Sequence, residues 1–85
     1  MIKAIYYEAS FKKSFKHLPE EIKKKFKWCL ELIVKEEKHN SLRHKKVQGV
    51  PDLWEFSVTM NYRCLYYRAG TELYLVAIGK HEDVF

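Results

Sequence analysis

Two basic clusters supply the side chains of this sequence that could act on a phosphate. The first is Arg43-His44-Lys45-Lys46, and the second is Lys80-His81 within the final GKHEDVF stretch. Histidine can transfer protons near neutral pH, and arginine and lysine can bind a phosphate and stabilise the added negative charge of a pentavalent phosphorane. With Arg63, these groups suit metal-free RNA cleavage, in which a 2′-hydroxyl attacks the adjacent phosphate to give a 2′,3′-cyclic phosphate and a 5′-hydroxyl.

Each of these features also has a simpler interpretation. A basic loop is usually a solvated surface, and a histidine near a chain end usually has no catalytic role. Arg63 interrupts the apolar stretch YRCLYY, so it points to water, pairs with an acid or faces a site. A cross-strand ion pair with Glu55 is the structural alternative for this arginine.

Other site chemistries have less support in the sequence. His81, Glu82 and Asp83 are adjacent, and adjacent residues seldom converge on one metal ion. Cys64 has no histidine within its own segment, and no GxSxG motif is present. The sequence therefore predicts no metal ion and no cofactor.

Length and charge limit the classes of function. Eighty-five residues suffice for a single domain, residues 1–85, with one modest core. The formal charge is +5, and residues 1–48 hold 13 basic and 6 acidic side chains, whereas residues 49–85 hold 3 and 5. Such a basic half attracts either a polyanion or an acidic protein, and charge alone does not separate the two.

The cysteines and the hydropathy pattern predict an intracellular environment. Cys29 and Cys64 have no CxxC spacing, so we expect two buried free thiols rather than a disulfide or a zinc site. No stretch approaches the roughly 20 apolar residues of a membrane span, and the N-terminus lacks the apolar core of a signal peptide. We therefore expect a cytoplasmic protein that does not enter membranes.

The apolar periodicity predicts how these side chains are positioned. Residues 2–7 are typical of a strand, residues 11–18 of a short helix, and residues 19–38 of a longer helix that begins at Pro19. Residues 39–46 show no periodicity and are expected to form a loop.

The second half of the chain changes to an alternating pattern. Residues 54–60, 62–67 and 73–78 are predicted to form a three-stranded meander, with a turn at 68–72. The predicted fold is α+β, in the order β-α-α-β-β-β, with two N-terminal helices packed on a mainly antiparallel four-stranded sheet.

Three segments in this order resemble the RelE/ParE-like toxins of bacterial and archaeal toxin–antitoxin modules. KVQGVPDLW at residues 46–54 is similar to the family's K-L-x-G-x-P-D-x-aromatic entry to the sheet. YRCLYY at residues 62–67 is similar to its aromatic-R-x-x-Y segment, and GKHEDVF at residues 79–85 resembles the G-x-H-x-x-x-F ending of the YafQ-like members. The resemblance covers nearly the whole chain.

The resemblance implies a ribosome-dependent endoribonuclease that cuts translated mRNA and is silenced by a cognate antitoxin. By position, Lys46 matches a phosphate-binding lysine, Arg63 the arginine that steadies the scissile phosphate, and His81 the general acid or base. Phe85 matches a terminal aromatic that stacks on a substrate base. The further candidates for substrate binding are Arg43, His44, Lys45 and Lys80.

The sequence also departs from the family pattern. Phe85 has no hydroxyl where some relatives carry a tyrosine, so proton transfer would fall on His81, or on His44 if its loop folds inward. The YafQ-like members carry further histidines and an aspartate in the sheet, and the corresponding places here resemble Ser57 and Asn61. Three alternatives therefore stay open: a ParE-like poison of DNA gyrase, a member that keeps the fold and antitoxin but not the activity, and a plain basic RNA-binding module.

Overall fold

The computed structural model describes residues 2–84. Its elements are β1 (Ala4–Tyr7), α1 (Ala9–Lys16), α2 (Glu20–Lys35), a 3-10 turn (Asn40–Leu42), β2 (Lys45–Lys46), β3 (Leu53–Ser57), β4 (Tyr62–Ala69), β5 (Glu72–Lys80) and α3 (His81–Val84). The fold is α+β, as the sequence predicts. None of the helices in this part of the chain is both long and apolar enough to cross a bilayer.

The two longer helices form where the apolar spacing places them. Phe11 of α1 is buried, and α2 buries four apolar side chains, Ile22, Phe26, Cys29 and Ile33. Pro19 precedes α2, and two glutamates in its first turn face the positive end of the helix dipole. The helices end at Lys16 and Lys35, two and three residues before the predicted ends.

The sheet has the strand order β1-β5-β4-β3-β2. The meander β3-β4-β5 is antiparallel, as expected, and β1 joins the outer edge of β5 in parallel. The predicted four strands are accompanied by a fifth, β2, which pairs with β3 through Lys45↔Glu55 and Lys46↔Trp54. A strand of two residues is too short to show an alternating pattern, and the loop prediction for residues 39–46 was wrong at this point.

One face of the sheet packs against α1 and α2, and the opposite face is called the outer face below. Phe26 of α2 contacts Phe56 of β3, with ring centroids 6.4 Å apart, and Phe11 contacts Phe26 at 5.3 Å. Cys29 and Cys64 are free and buried in this core, which confirms the sequence prediction.

A β-bulge in β5 decides which residues face outward near the end of this strand. Tyr66 pairs with Leu75 and Leu65 pairs with Ala77, so Val76 is an extra residue on β5. Because one extra residue reverses the side-chain alternation, Leu75 and Ile78 both lie in the core. Gly79, opposite Arg63, is thereby placed on the outer face.

Candidate active site

A cleft of about 470 Å³ brings together parts of both basic clusters. It is lined by Lys45, Lys46, Val47, Gln48, Glu55 and His81. β2 and the segment after it supply the lysines, β3 supplies the carboxylate, and the end of β5 delivers the histidine. Cations and a proton-transfer group therefore share one concave surface, as metal-free phosphate chemistry requires.

His81 is positioned by its backbone and by the fold of α3. Its N–H donates to the carbonyl oxygen of Asn61 at 3.0 Å, which ties the end of β5 to the β3–β4 turn. A Cβ atom on Gly79 would lie 3.4 Å from Cγ1 of Val84, which is van der Waals contact, so α3 packs closely against the end of β5. The imidazole of His81 lies at the surface.

Arg63 lies between Ser57 and Gly79 in the sheet register and has several internal partners. Its Nη1 donates to the carbonyl oxygens of Thr59 at 2.9 Å and Met60 at 2.6 Å, and Nε lies 3.6 Å from Oε1 of Glu55. The ion pair between Arg63 and Glu55 that the sequence suggested is therefore present. The two residues are diagonal neighbours on β4 and β3, because Arg63 lies directly opposite Ser57. The guanidinium holds the β3–β4 turn, and Arg63 is not among the described residues that line the cleft.

Glu55 is the site residue that sequence reasoning missed. The residue is only 4% exposed, lies opposite Lys45 in the sheet register and lines the cleft that contains His81. The sequence showed an acid at an alternate strand position and suggested only an ion pair. Its burial beside a cationic cleft depends on β2, which the sequence did not reveal.

His44 is separated from this cleft and lies in a buried polar network. Its Nε2 is hydrogen-bonded to the hydroxyl of Tyr66, which in turn donates to Oε2 of Glu37 at 2.9 Å. Glu37 also pairs with Arg68, and the imidazole stacks on Trp54 with centroids 4.9 Å apart. Because Tyr66 donates to Glu37, the His44 Nε2 carries the proton, and Nδ1 has no hydrogen-bond partner among residues 2–84.

The electrostatics of His44 agree with this neutral tautomer. Burial lowers the pKa of His44 below its ordinary 6.5, opposed by the Glu37 carboxylate and assisted by the charges of Lys38 and Arg68. A second proton would also place a buried N–H at Nδ1 without an acceptor. The side chain is 3% exposed, so His44 is not presented to a substrate in this structure.

The remaining candidates occupy two neighbouring surfaces. Arg43 adopts a left-handed backbone with φ of 47° and lines a cleft of about 340 Å³ with Lys25 and Thr59. Lys80 lines another cleft with Tyr62. Phe85 lies outside the described residues. Within residues 2–84, no group of three or more His, Cys, Asp or Glu side chains is arranged to hold a metal ion.

Comparisons with known proteins identify the fold. No family model matches the sequence, and no curated protein matches it. Among solved structures, YafQ from Escherichia coli BL21(DE3) superposes with a TM-score of 0.82 at 16% identity, over 100% of this chain and 99% of YafQ. The toxin fold of RelE and YafQ is the fold of this chain.

Two complexes show the same fold beside a partner. The E. coli DinJ-YafQ toxin–antitoxin complex matches with a TM-score of 0.80 at 17% identity, over 100% of this chain and 99% of that chain. The RelB-RelE antitoxin–toxin complex from Methanococcus jannaschii matches with a TM-score of 0.74 at 20% identity, over 93% of each chain.

Proposed function

We propose that this protein is the toxin of a toxin–antitoxin pair and acts in the cytoplasm as a ribosome-dependent, metal-independent endoribonuclease on translated mRNA. The observation that carries the proposal is the cleft in which His81 lies with Lys45 and Lys46. The RelE/YafQ fold supports it, because complexes with this fold are toxin–antitoxin pairs.

The proposed chemistry follows from the side chains around the cleft. Lys46 and Lys45 bind the phosphates of the mRNA backbone, and His81 transfers a proton as the 2′-hydroxyl attacks the adjacent phosphate. Arg63 contributes positive charge next to the site through its guanidinium. Arg43 and Lys80 extend the contact with the RNA on neighbouring surfaces, and Phe85 is proposed to stack on a substrate base.

A cognate antitoxin is the proposed protein partner. A groove of about 490 Å³ between the two longer helices has an apolar floor and a rim of lysines, and would accept apolar anchors from an acidic segment. It is lined by Tyr7, Phe11, Lys12, Phe15, Lys16, Phe26, Lys27 and Leu30. A partner whose acids meet these lysines and the lysines of the cleft would also block access of mRNA.

A second candidate is a non-catalytic member that binds RNA or the antitoxin. It is favoured by one observation: Nη1 and Nε of Arg63 already have partners within the protein, and the buried carboxylate of Glu55 opposes a phosphate in the cleft. Such a protein would bind RNA with a salt dependence set by its lysines and would not require His81.

Inducible expression separates these functions. Wild type is expected to arrest growth and to produce new mRNA 5′ ends inside translated codons, whereas His81→Ala does neither. His39→Asn is the matched control, because it removes an imidazole on the 3-10 turn while keeping a side-chain acceptor for the N–H of Ser41. Growth arrest without mRNA cleavage would indicate the gyrase alternative, and RNA binding without arrest would indicate the non-catalytic one.

A further inference from the structure

Glu55 is the buried acid in the candidate cleft. Its side chain is 6% exposed, and its Oε1 lies 3.6 Å from Nε of Arg63, which is longer than a hydrogen bond. Burial of a carboxylate is costly unless it is paired and hydrogen-bonded. The ion pair with Arg63 involves Oε1, and a carboxylate has two acceptor oxygens, so the group can still accept a hydrogen bond from a substrate hydroxyl.

Cleavage by a 2′-hydroxyl needs two proton transfers. One group removes the proton of the hydroxyl, and another donates a proton to the departing 5′-oxygen. The lysines are cationic groups suited to binding phosphate, and Val47 and Gln48 carry no acidic or basic group. Of the described residues that line the cleft, Glu55 and His81 are therefore the pair suited to proton transfer.

Resting on the proposed function, we infer that Glu55 is the general base of this cleft and that His81 is the general acid. The Glu55 carboxylate takes the proton of the 2′-hydroxyl while the 2′-oxygen bonds to phosphorus. The bond from phosphorus to the 5′-oxygen breaks, and the His81 imidazolium donates its proton to that oxygen. The products are a 2′,3′-cyclic phosphate and a 5′-hydroxyl, and proton exchange with water restores both side chains.

Neighbouring strands give Glu55 the rigidity that a base requires. The central residues of β3 are held by β4 on one side and by β2 on the other, so the position of the carboxylate is fixed by two strand pairings. Arg63 acts as a positioning residue, because Nη1 is anchored to two turn carbonyls while Nε faces Glu55. Lys45, opposite Glu55, is placed to bind the phosphate beside it.

The test uses ribosome-bound mRNA that carries one cleavable linkage at a codon found by 5′-end mapping. In one substrate the leaving 5′-oxygen is natural, and in the other it is replaced by sulfur, which departs without protonation. Wild type, Glu55→Gln and His81→Ala are compared by cleavage rate. Glu31→Gln, on the exposed surface of α2, is the control for the loss of one carboxylate.

Glu55→Gln is expected to lower the cleavage rate of both substrates by about 10²–10⁴-fold, the usual contribution of a general base. His81→Ala is expected to lose the natural substrate but to cleave the sulfur substrate at nearly the wild-type rate. Thermal unfolding checks that each variant is folded. If Glu55→Gln is not, Glu55→Asp keeps the charge for Arg63 and is expected to be slow on both substrates in the same way.

Two results would overturn the assignment of Glu55. One is a folded Glu55→Gln variant that cleaves within about threefold of wild type, well below a general-base effect. The other is recovery of Glu55→Gln on the sulfur substrate, which would make it the acid. If wild type cleaves no mRNA at all, the proposed nuclease function fails, and the role of Glu55 fails with it.

Discussion

Replacing Glu37 by alanine removes the acceptor at the centre of the buried polar network. Tyr66 is fully buried, and its hydroxyl donates to Glu37 at 2.9 Å. Losing that acceptor leaves a buried donor unsatisfied, which costs about 1–3 kcal/mol. The side chain of Arg68 is 29% exposed and can turn to water, so its lost ion pair adds only about 0–1 kcal/mol.

We therefore expect Glu37→Ala to lower the free energy of unfolding by about 2 kcal/mol, or the melting temperature by roughly 8–16 °C. Urea unfolding followed by tryptophan fluorescence measures it, since Trp54 stacks on His44 in the same network. The Glu37 and Glu36 variants are made in protein that also carries His81→Ala, which is expected not to arrest the growth of the expression host.

The adjacent Glu36→Ala is a matched control. Glu36 has a side chain that is 68% exposed and lies 4.0 Å from His39, so its removal should change stability by less than about 0.5 kcal/mol. If Glu37→Ala is within about 0.5 kcal/mol of Glu36→Ala, the network does not stabilise the fold as reasoned.

Three further predictions concern pH, the β3–β4 turn and the position of α3. Burial lowers the pKa of His44 in the folded protein. The contribution of neutral His44 to the free energy of unfolding is therefore complete above the unfolded pKa of about 6.5 and is lost as the pH falls below that value. Urea titrations from pH 7 to pH 5 should show a smaller loss of stability in His44→Asn than in wild type. Arg63→Ala leaves the Glu55 carboxylate buried without its ion-pair partner and removes the donor to the turn carbonyls. It should therefore lower the free energy of unfolding, measured in urea, by about 3 kcal/mol. An Arg63→Ala variant as stable as wild type would contradict the role of Arg63 in holding Glu55 and the turn. Gly79→Val adds methyl groups beyond a Cβ that would already lie 3.4 Å from Cγ1 of Val84, so it should displace α3 and abolish mRNA cleavage. Urea unfolding should show a cost of about 1–3 kcal/mol, which leaves the protein folded.

The helices and the meander were predictable because burial of one side of each element leaves a periodic pattern in the sequence. In α2, apolar side chains recur at helical spacing, and four of them are buried. In β3, Phe56 faces the core between two side chains that face outward. Met60 continued the alternation in the sequence but is 75% exposed, because the chain turns after β3.

The candidate site was predictable only in part. Lys45, Lys46 and His81 do share a cleft, although residues far apart in the sequence supply them. His44 is adjacent to Lys45, yet it lies in the network with Tyr66. His44 precedes β2, and its side chain is only 3% exposed because it packs on Trp54 and Tyr66. Nothing in the sequence indicated the strand at residues 45–46.

By itself, the sequence determined the type and order of the main elements, their apolar faces and the basic character of the first half of the chain. The tertiary structure decided the parallel pairing of β1, the addition of β2 and the bulge at Val76. These features determine on which face of the sheet Glu55 and His81 lie and which side chains surround them. They depend on pairing between distant segments, and a one-residue change of register reverses every side chain without altering the local pattern.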